Sequence, residues 1–205
     1  MLFRSPEFVR AVATQTLREA RNRDVFLIQA TTILGFPIEV ISGKEEARLI
    51  YVGVAHSLPQ SSEKRLVIDI GGRSTEMILG RAYKPYTMES YRVGSVKWSM
   101  KYFANGVFTT ASFSKAEIAA KAVLDEALSL YPRSEWDTAY GASGTVGAVA
   151  DILTSAGWPM GKITLEGLDW LKEKLIKAGN TETLKLEGVK DDRKPVIGGG
   201  LAILY

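Results

Sequence analysis

The chain contains no cysteine. Disulfides, thiolate nucleophiles and cysteine-ligated metals are therefore excluded. The absence fits a reducing compartment, so a cytoplasmic location is the expectation. Histidine is scarce as well: His56 is the only one among 205 residues. This argues against multi-histidine metal centres and a serine–histidine triad. Its place near the end of a helical pattern reads as a solvated position. Long apolar runs are missing too. No stretch approaches membrane-spanning length, and the N-terminus has no signal-peptide core, so no membrane partner is expected. Charge of one sign is not in large excess, with 26 basic against 23 acidic side chains and a net charge of +3. That balance permits an anionic substrate without requiring nucleic acid, and none is expected. What remains is ordinary for a globular protein, at 46% hydrophobic and 24% charged residues. The length suits one large domain or two modest ones. Chemistry is left to carboxylates, hydroxyls, arginines and backbone amides.

Strand and helix patterns alternate along the chain, which argues for an α/β fold. Residues 8–21, FVRAVATQTLREAR, begin extended and end helical. FPIEVIS, residues 36–42, alternates as a strand. Ser42 then opens a helix as N-cap, with Glu45 placed as a capping-box acid. Ala47, Ile50, Tyr51, Val54 and Leu58 recur at helical spacing. SLPQSSEK breaks the pattern, and a domain boundary is expected between residues 63 and 64. RLVIDI reads as a strand buried on both faces. With GGRST and EMILG it forms a β-hairpin, and a further strand is expected around MESYRV. Residues 95–104 look helical. Ser114 with Glu117 signals the cap of a helix over KAEIAAKAVLDEALSLY. DTAYGASGTVGAVADILTSAG reads as strand, glycine turn and helix, with Gly157 as the stop. In ITLEGLDWLKEKLIKAG, Leu165, Leu168, Leu171 and Leu175 share a face and Gly179 ends the helix. In RKPVIGGGLAILY, an element restarts after the proline and glycines.

Four stretches carry candidate chemistry. In RLVIDIGGRSTEMILG, Asp69 ends a strand at the mouth of a glycine turn. Gly71 and Gly72 expose backbone N–H groups suited to phosphate, and Ser74 and Thr75 add hydroxyls. Asp69 and Glu76 flank the turn as oxygen ligands for Mg²⁺. The same pattern is also that of a tight hairpin with two solvated acids. GASGT, Gly141 to Thr145, is a second such turn, where Ser143, Gly144 and Thr145 open a helix. It also fits an ordinary strand-to-helix connection. In SGKEEAR, Glu45 has a capping role and Glu46 does not. Glu46 is either a catalytic acid or a first-turn residue facing the helix dipole. Arg18 lies where strand gives way to helix, as a phosphate clamp or a surface ion-pair partner.

Taken together, ATQTLREARN, VISGKEEARLIYVGV, VIDIGGRSTEMILG, YRVGSVKWS, GASGTVGAV and GGGLAIL resemble the exopolyphosphatase/guanosine pentaphosphate phosphohydrolase (Ppx/GppA) family. The hairpin motif recurs through the wider actin, Hsp70 and sugar-kinase superfamily, and SGKEEARLIY narrows the match. The resemblance implies two ribonuclease-H-like lobes with phosphate bound between them. Residues 1–63 would be a remnant of the first lobe and residues 64–205 the second. It implies Mg²⁺-dependent release of terminal phosphate from inorganic polyphosphate or pppGpp, and a possible homodimer. Glu46 maps onto the family's general base. Asp69 and Glu76 map onto its metal acids. Gly71, Gly72, Arg73, Ser74 and Thr75 map onto its phosphate loop, and Gly141 to Thr145 onto its second glycine turn.

Two departures stand out. Arg73 replaces a family glycine, where it either strains the turn or clamps polyphosphate. The family's opening phosphate hairpin and the end of its core have no counterpart here, so the chain reads as truncated at both ends. A partial lobe exposes apolar faces, which predicts oligomerisation or poor solubility. Three rivals accompany the hydrolase reading: a polyphosphate- or alarmone-binding sensor of the same fold, an actin-like ATPase or kinase, and a structural relic without activity.

Overall fold

Alternation along Leu66–Ile70 sends side chains to both faces of a central strand. The computed structural model, which describes residues 9–205, builds its main sheet around that strand. Three antiparallel strands, β3 (Lys64–Ile70), β4 (Thr75–Arg81) and β5 (Lys84–Tyr91), follow one another through short turns. A later strand, β6 (Thr138–Ala142), joins β3 in parallel, giving the order β5-β4-β3-β6. This is the ribonuclease-H-like arrangement that the resemblance implies. A smaller parallel pair, β1 (Ala11–Ala13) and β2 (Ile38–Val40), precedes it. Between these two strands run α1 (Gln15–Glu19) and α2 (Arg23–Leu34). Phe8, at the start of the extended stretch, lies outside the described residues.

Each face of the main sheet is covered. Val67 and Ile78 meet Ala47, Tyr51 and Ala55 of α3 (Gly43–Ser57). On the other face, Leu66, Ile70 and Leu79 enter the larger core. That core is built with α4 (Ser95–Tyr102), α5 (Thr110–Leu124), α6 (Ala127–Leu130), α7 (Gly144–Ser155), α8 (Leu165–Ala178) and α9 (Ile197–Leu204). The strand is thus buried on both sides, as its apolar run predicts. α3 precedes residue 64 in sequence yet packs on the sheet that follows it.

Several helices differ from their sequence patterns. α5 starts at Thr110, with Thr109 as N-cap in a reciprocal box with Ser112, so Ser114 lies inside the helix rather than capping it. The earlier start buries Phe113, whose ring meets Phe103 edge-on at 4.7 Å. In α8, Leu168, Leu171 and Leu175 are buried, but Leu165, in the first turn, is 57% exposed. α9 contains Gly198, Gly199 and Gly200 rather than following them. A Cβ on Gly199 would lie 2.5 Å from Ser99 N, so the absent side chain lets α9 cross α4 at backbone distance. α2 buries none of its residues, although it carries Val25, Phe26, Ile28 and Ile33.

Candidate active site

The β3–β4 register sets Asp69 opposite Glu76, and the β3–β6 register sets Asp69 opposite Ala142. Both glycine turns therefore lie at the same end of the sheet, with the two acids between them. The hairpin ladder closes where Gly71 N donates to Ser74 O at 2.9 Å. The Gly71 carbonyl, which a tight turn would give to the Ser74 amide, accepts from Ser95 N (2.9 Å) and Ser95 Oγ (3.2 Å) instead. This opens the turn and leaves the amides of Gly72, Arg73 and Ser74 outside the ladder. The turn is pinned from below by Gly94, on which a Cβ would lie 2.5 Å from Arg73 Cα. No bulkier residue fits between the turn and α4.

The hydroxyls are less free than the spacing suggests. Thr75 Oγ1 donates to Val93 O at 2.7 Å, and Thr145 Oγ1 donates to Ser95 Oγ at 3.3 Å. Ser143 Oγ accepts from Val146 N as the N-cap of α7. Ser143 takes φ +95°, a conformation rare for L residues, and the turn enters the helix through it. At both turns the backbone N–H groups are thus the donors best placed for an anion, reinforced at the second by the helix N-terminus.

α3 brings its first turn to the same place. Ser42 Oγ accepts from Glu45 N at 3.2 Å, so the N-cap is as expected. The reciprocal half of the capping box is not formed. The Glu45 carboxylate is taken by Arg48 (2.8 and 2.9 Å) and Arg10 (3.3 Å) instead. These arginines hold it down at about 2, hydrogen bonding from Arg48 being the largest favourable cause. Glu46 pairs with Arg18 at 3.0 Å, and Arg18 Nη1 also donates to Ile41 O at 2.7 Å. The start of α3 sits against β5, since a Cβ on Gly43 would lie 2.6 Å from Ser90 Cβ. Ser90 Oγ in turn donates to Glu76 Oε1 at 2.7 Å.

Electrostatics link the three acids. Burial pushes Asp69 up to about 6, and the charge of Glu46 adds to the rise. Burial pushes Glu76 up to about 7. Hydrogen bonding from Ser90 and Ser74 opposes that rise, while the charges of Glu46 and Asp69 reinforce it. Glu76 is 1% exposed. Asp69 and Glu76 are desolvated carboxylates placed opposite each other, with no cation among the groups that set their titration, so they could serve as oxygen donors to a divalent cation. Among the described residues no three acidic or metal-binding side chains cluster to enclose a metal. A metal held here would have these two carboxylates as its protein donors. This suits Mg²⁺, which keeps waters and takes phosphate oxygens as further ligands.

Arg73 is not in the left-handed region; among the described residues the non-glycine positions there are Ala82, Asn105 and Ser143. The turn is thus not strained by the arginine in the way feared from the glycine it replaces. Its guanidinium reaches Glu19 Oε2 at 3.3 Å. Four residues at the site carry no sequence signal of their own. Ser90 orients Glu76, Gln15 and Glu19 connect to Arg18, and Arg193 stands over the second turn, its Nη1 2.8 Å from where a Cβ of Gly144 would be.

The fold is an α/β sheet of ribonuclease-H-like order, with two glycine turns, paired acids and a helix-borne glutamate gathered at one end. Comparison with known proteins narrows this: the model of the Ppx/GppA phosphatase family matches residues 2–205, and the chain belongs to that family. An exopolyphosphatase-like protein of known structure is 25% identical, with a TM-score of 0.82 over 95% of this chain and 63% of that one. A Ppx/GppA family member from Aquifex aeolicus is 28% identical, with a TM-score of 0.75 over 95% of this chain and 64% of its own. An exopolyphosphatase from Cytophaga hutchinsonii shares the fold at 21% identity, with a TM-score of 0.80 over 95% of this chain and 65% of its own. The chain thus spans less than two thirds of the length of these relatives.

Proposed function

We propose that this chain carries the machinery of a phosphoanhydride hydrolase that releases the terminal phosphate of inorganic polyphosphate or of pppGpp. The observation that carries the reading is the convergence of Glu46, on the first turn of α3, with Asp69, Glu76 and the open hairpin turn. In this reading Glu46 orients the attacking water and accepts its proton. Water oxygen bonds to the terminal phosphorus as the bridging P–O bond breaks, giving orthophosphate and a shortened chain. The amides of Gly72, Arg73 and Ser74 and the N-terminus of α7 donate to the phosphoryl oxygens as charge builds on them. Asp69 and Glu76 would hold Mg²⁺, which when bound neutralises phosphate charge.

One observation favours a second reading. The Glu46 carboxylate is already engaged by Arg18 at 3.0 Å, which suits a protein that binds polyphosphate or an alarmone without turning it over. The test is Mg²⁺-dependent phosphate release from long-chain polyphosphate and from pppGpp, with binding measured in parallel. The hydrolase reading expects release that falls about 10²-fold or more in Glu46→Ala, the scale of a lost general base. Tight binding without release supports the sensor, and release unchanged in Glu46→Ala removes Glu46 from the mechanism.

A further inference from the structure

Arg73 is the residue at which this hairpin departs from its family pattern, and its side chain leaves the turn for another part of the site. Nη2 of Arg73 donates to Glu19 Oε2 at 3.3 Å. The other oxygen of Glu19 accepts from Gln15 Nε2 at 2.6 Å. Gln15 Oε1 accepts from Arg18 Nε at 3.1 Å and Nη2 at 2.7 Å. Arg18 Nη1 then donates to Glu46 Oε2 at 3.0 Å and to Ile41 O at 2.7 Å. The bonds run without a break from the phosphate turn to the carboxylate of Glu46.

The chemistry of the middle link gives this path a direction. A guanidinium is donor-only, so it must meet the oxygen of the Gln15 amide and not the NH₂. A carboxylate is acceptor-only, so Glu19 must meet the NH₂. Glu19 therefore selects the amide orientation that Arg18 requires. Two donors of Arg18 on one oxygen fix the plane of the guanidinium, and that plane aims Nη1 at Glu46. Gln15 is only 8% exposed, so its amide has few alternative partners. The weak point is the outer link, where the side chains of Arg73 and Glu19 are 45% and 31% exposed. Arg92 Nε assists there, 3.9 Å from Glu19.

We infer, resting on the reading of Glu46 as the base, that Arg73 is a positioning residue: it holds Glu19 and, through Gln15 and Arg18, the carboxylate of Glu46. It does not grip the phosphate chain. The glycine of the family pattern has no side chain with which to do this.

The experiment uses the full chain as wild type, Arg73→Gly, Glu19→Gln, the double variant and Arg73→Lys. The first readout needs no substrate: hydrogen exchange of the Arg18 Nε–H by ¹⁵N NMR, the resonance assigned by its loss in Arg18→Lys. The second is kcat and KM for phosphate release from polyphosphate. A positioning role expects Arg18 exchange to quicken about two- to fivefold in Arg73→Gly and Glu19→Gln, the scale of a partly exposed ion pair. It expects kcat to fall by a similar factor with KM little changed. The double variant should be no worse than either single, because both break one link, and Arg73→Lys should recover part of the loss. Unchanged Arg18 exchange in both single variants overturns the inference. So does a raised KM confined to Arg73→Gly, which would make the arginine a direct phosphate clamp. If wild type releases no phosphate, the hydrolase reading fails, and Arg18 exchange alone still decides whether the path of bonds exists.

Discussion

Glu76 shows how a single residue ties the site to stability. Its carboxylate is 1% exposed and receives a hydrogen bond from Ser90, yet burial pushes it up to about 7. Asp69, its neighbour across the hairpin, is raised to about 6 for the same first cause. In the unfolded chain both titrate near pH 4. Between these values the folded chain holds more protons than the unfolded one, so stability falls as pH rises from about 4 to 7. For Glu76 alone the loss is on the order of 3 kcal/mol. Glu76→Gln removes the charge while keeping an acceptor for Ser90. The urea midpoint of the wild type should therefore drop from pH 5 to pH 8, and that of Glu76→Gln should drop less. MgCl₂ at pH 8 should raise the wild-type midpoint and leave the variant's nearly unmoved. Identical pH slopes for the two proteins would sink the account.

At this scale the sequence was legible where chemistry and local geometry coincide. Asp69, Glu76 and Glu46 stand beside glycines or a helix start, and the structure brings them together. Arg73 was not legible. The partner that defines it, Glu19, lies 54 residues away, and no local pattern records that pairing. Arg193 was missed for the same reason, sitting in DDRKPV with no spacing to mark it.

Elements followed the sequence where side-chain periodicity alone decides them, and departed from it where backbones touch. The hairpin, α3 and α7 fall close to their patterns. α2 escaped notice because none of its residues is fully buried, and periodicity signals burial. α5 begins earlier than Ser114 because Thr109 and Ser112 cap each other, a box that two hydroxyls form as well as a hydroxyl and an acid. α9 runs through three glycines, which propensity disfavours. The close crossing with α4 explains it, since Gly199 N donates to Ser99 Oγ at 3.0 Å. The two effects oppose each other in Gly199→Ala. Alanine favours an isolated helix by about 1 kcal/mol, whereas forcing a methyl into a packed crossing costs roughly 1–3 kcal/mol. Backbone atoms of α4 cannot rotate aside, so overlap should win. The variant is expected to be less stable by chemical denaturation and, because α4 carries Ser95 beneath the phosphate turn, to bind phosphate less well. A stabilised variant would mean that the helices separate at little cost.

Over the whole molecule, charge is distributed in a way that net charge conceals. The excess is only +3, but Arg18, Arg73, Arg92 and Lys44 gather around α1, the hairpin and the start of α3, and Arg193 stands at the second turn. Several of these cations are already paired with carboxylates. The field at the turns therefore depends on both signs, and an anion approaching them meets Glu19, Glu46 and Glu89 as well as the arginines and lysine. Such a balance is sensitive to ionic strength, because the Debye length shrinks from about 10 Å at 0.1 M salt to about 3 Å at 1 M. If the chain releases phosphate from polyphosphate as proposed, raising KCl from 50 to 300 mM should increase KM several-fold while kcat changes little, since screening acts on encounter more than on groups inside the site. Among the described residues the ion pair of Arg193 is with the adjacent Asp192 at 3.3 Å, at the protein surface, and no acid of the second turn pairs with it. Arg193→Ala should therefore raise KM at low salt and flatten its salt dependence. Arg73→Gly, removing a cation already committed to Glu19, should leave the salt slope close to that of the wild type. Equal flattening by both variants would mean that the two arginines meet the polyanion alike, and that the pairing with Glu19 gives way when substrate arrives.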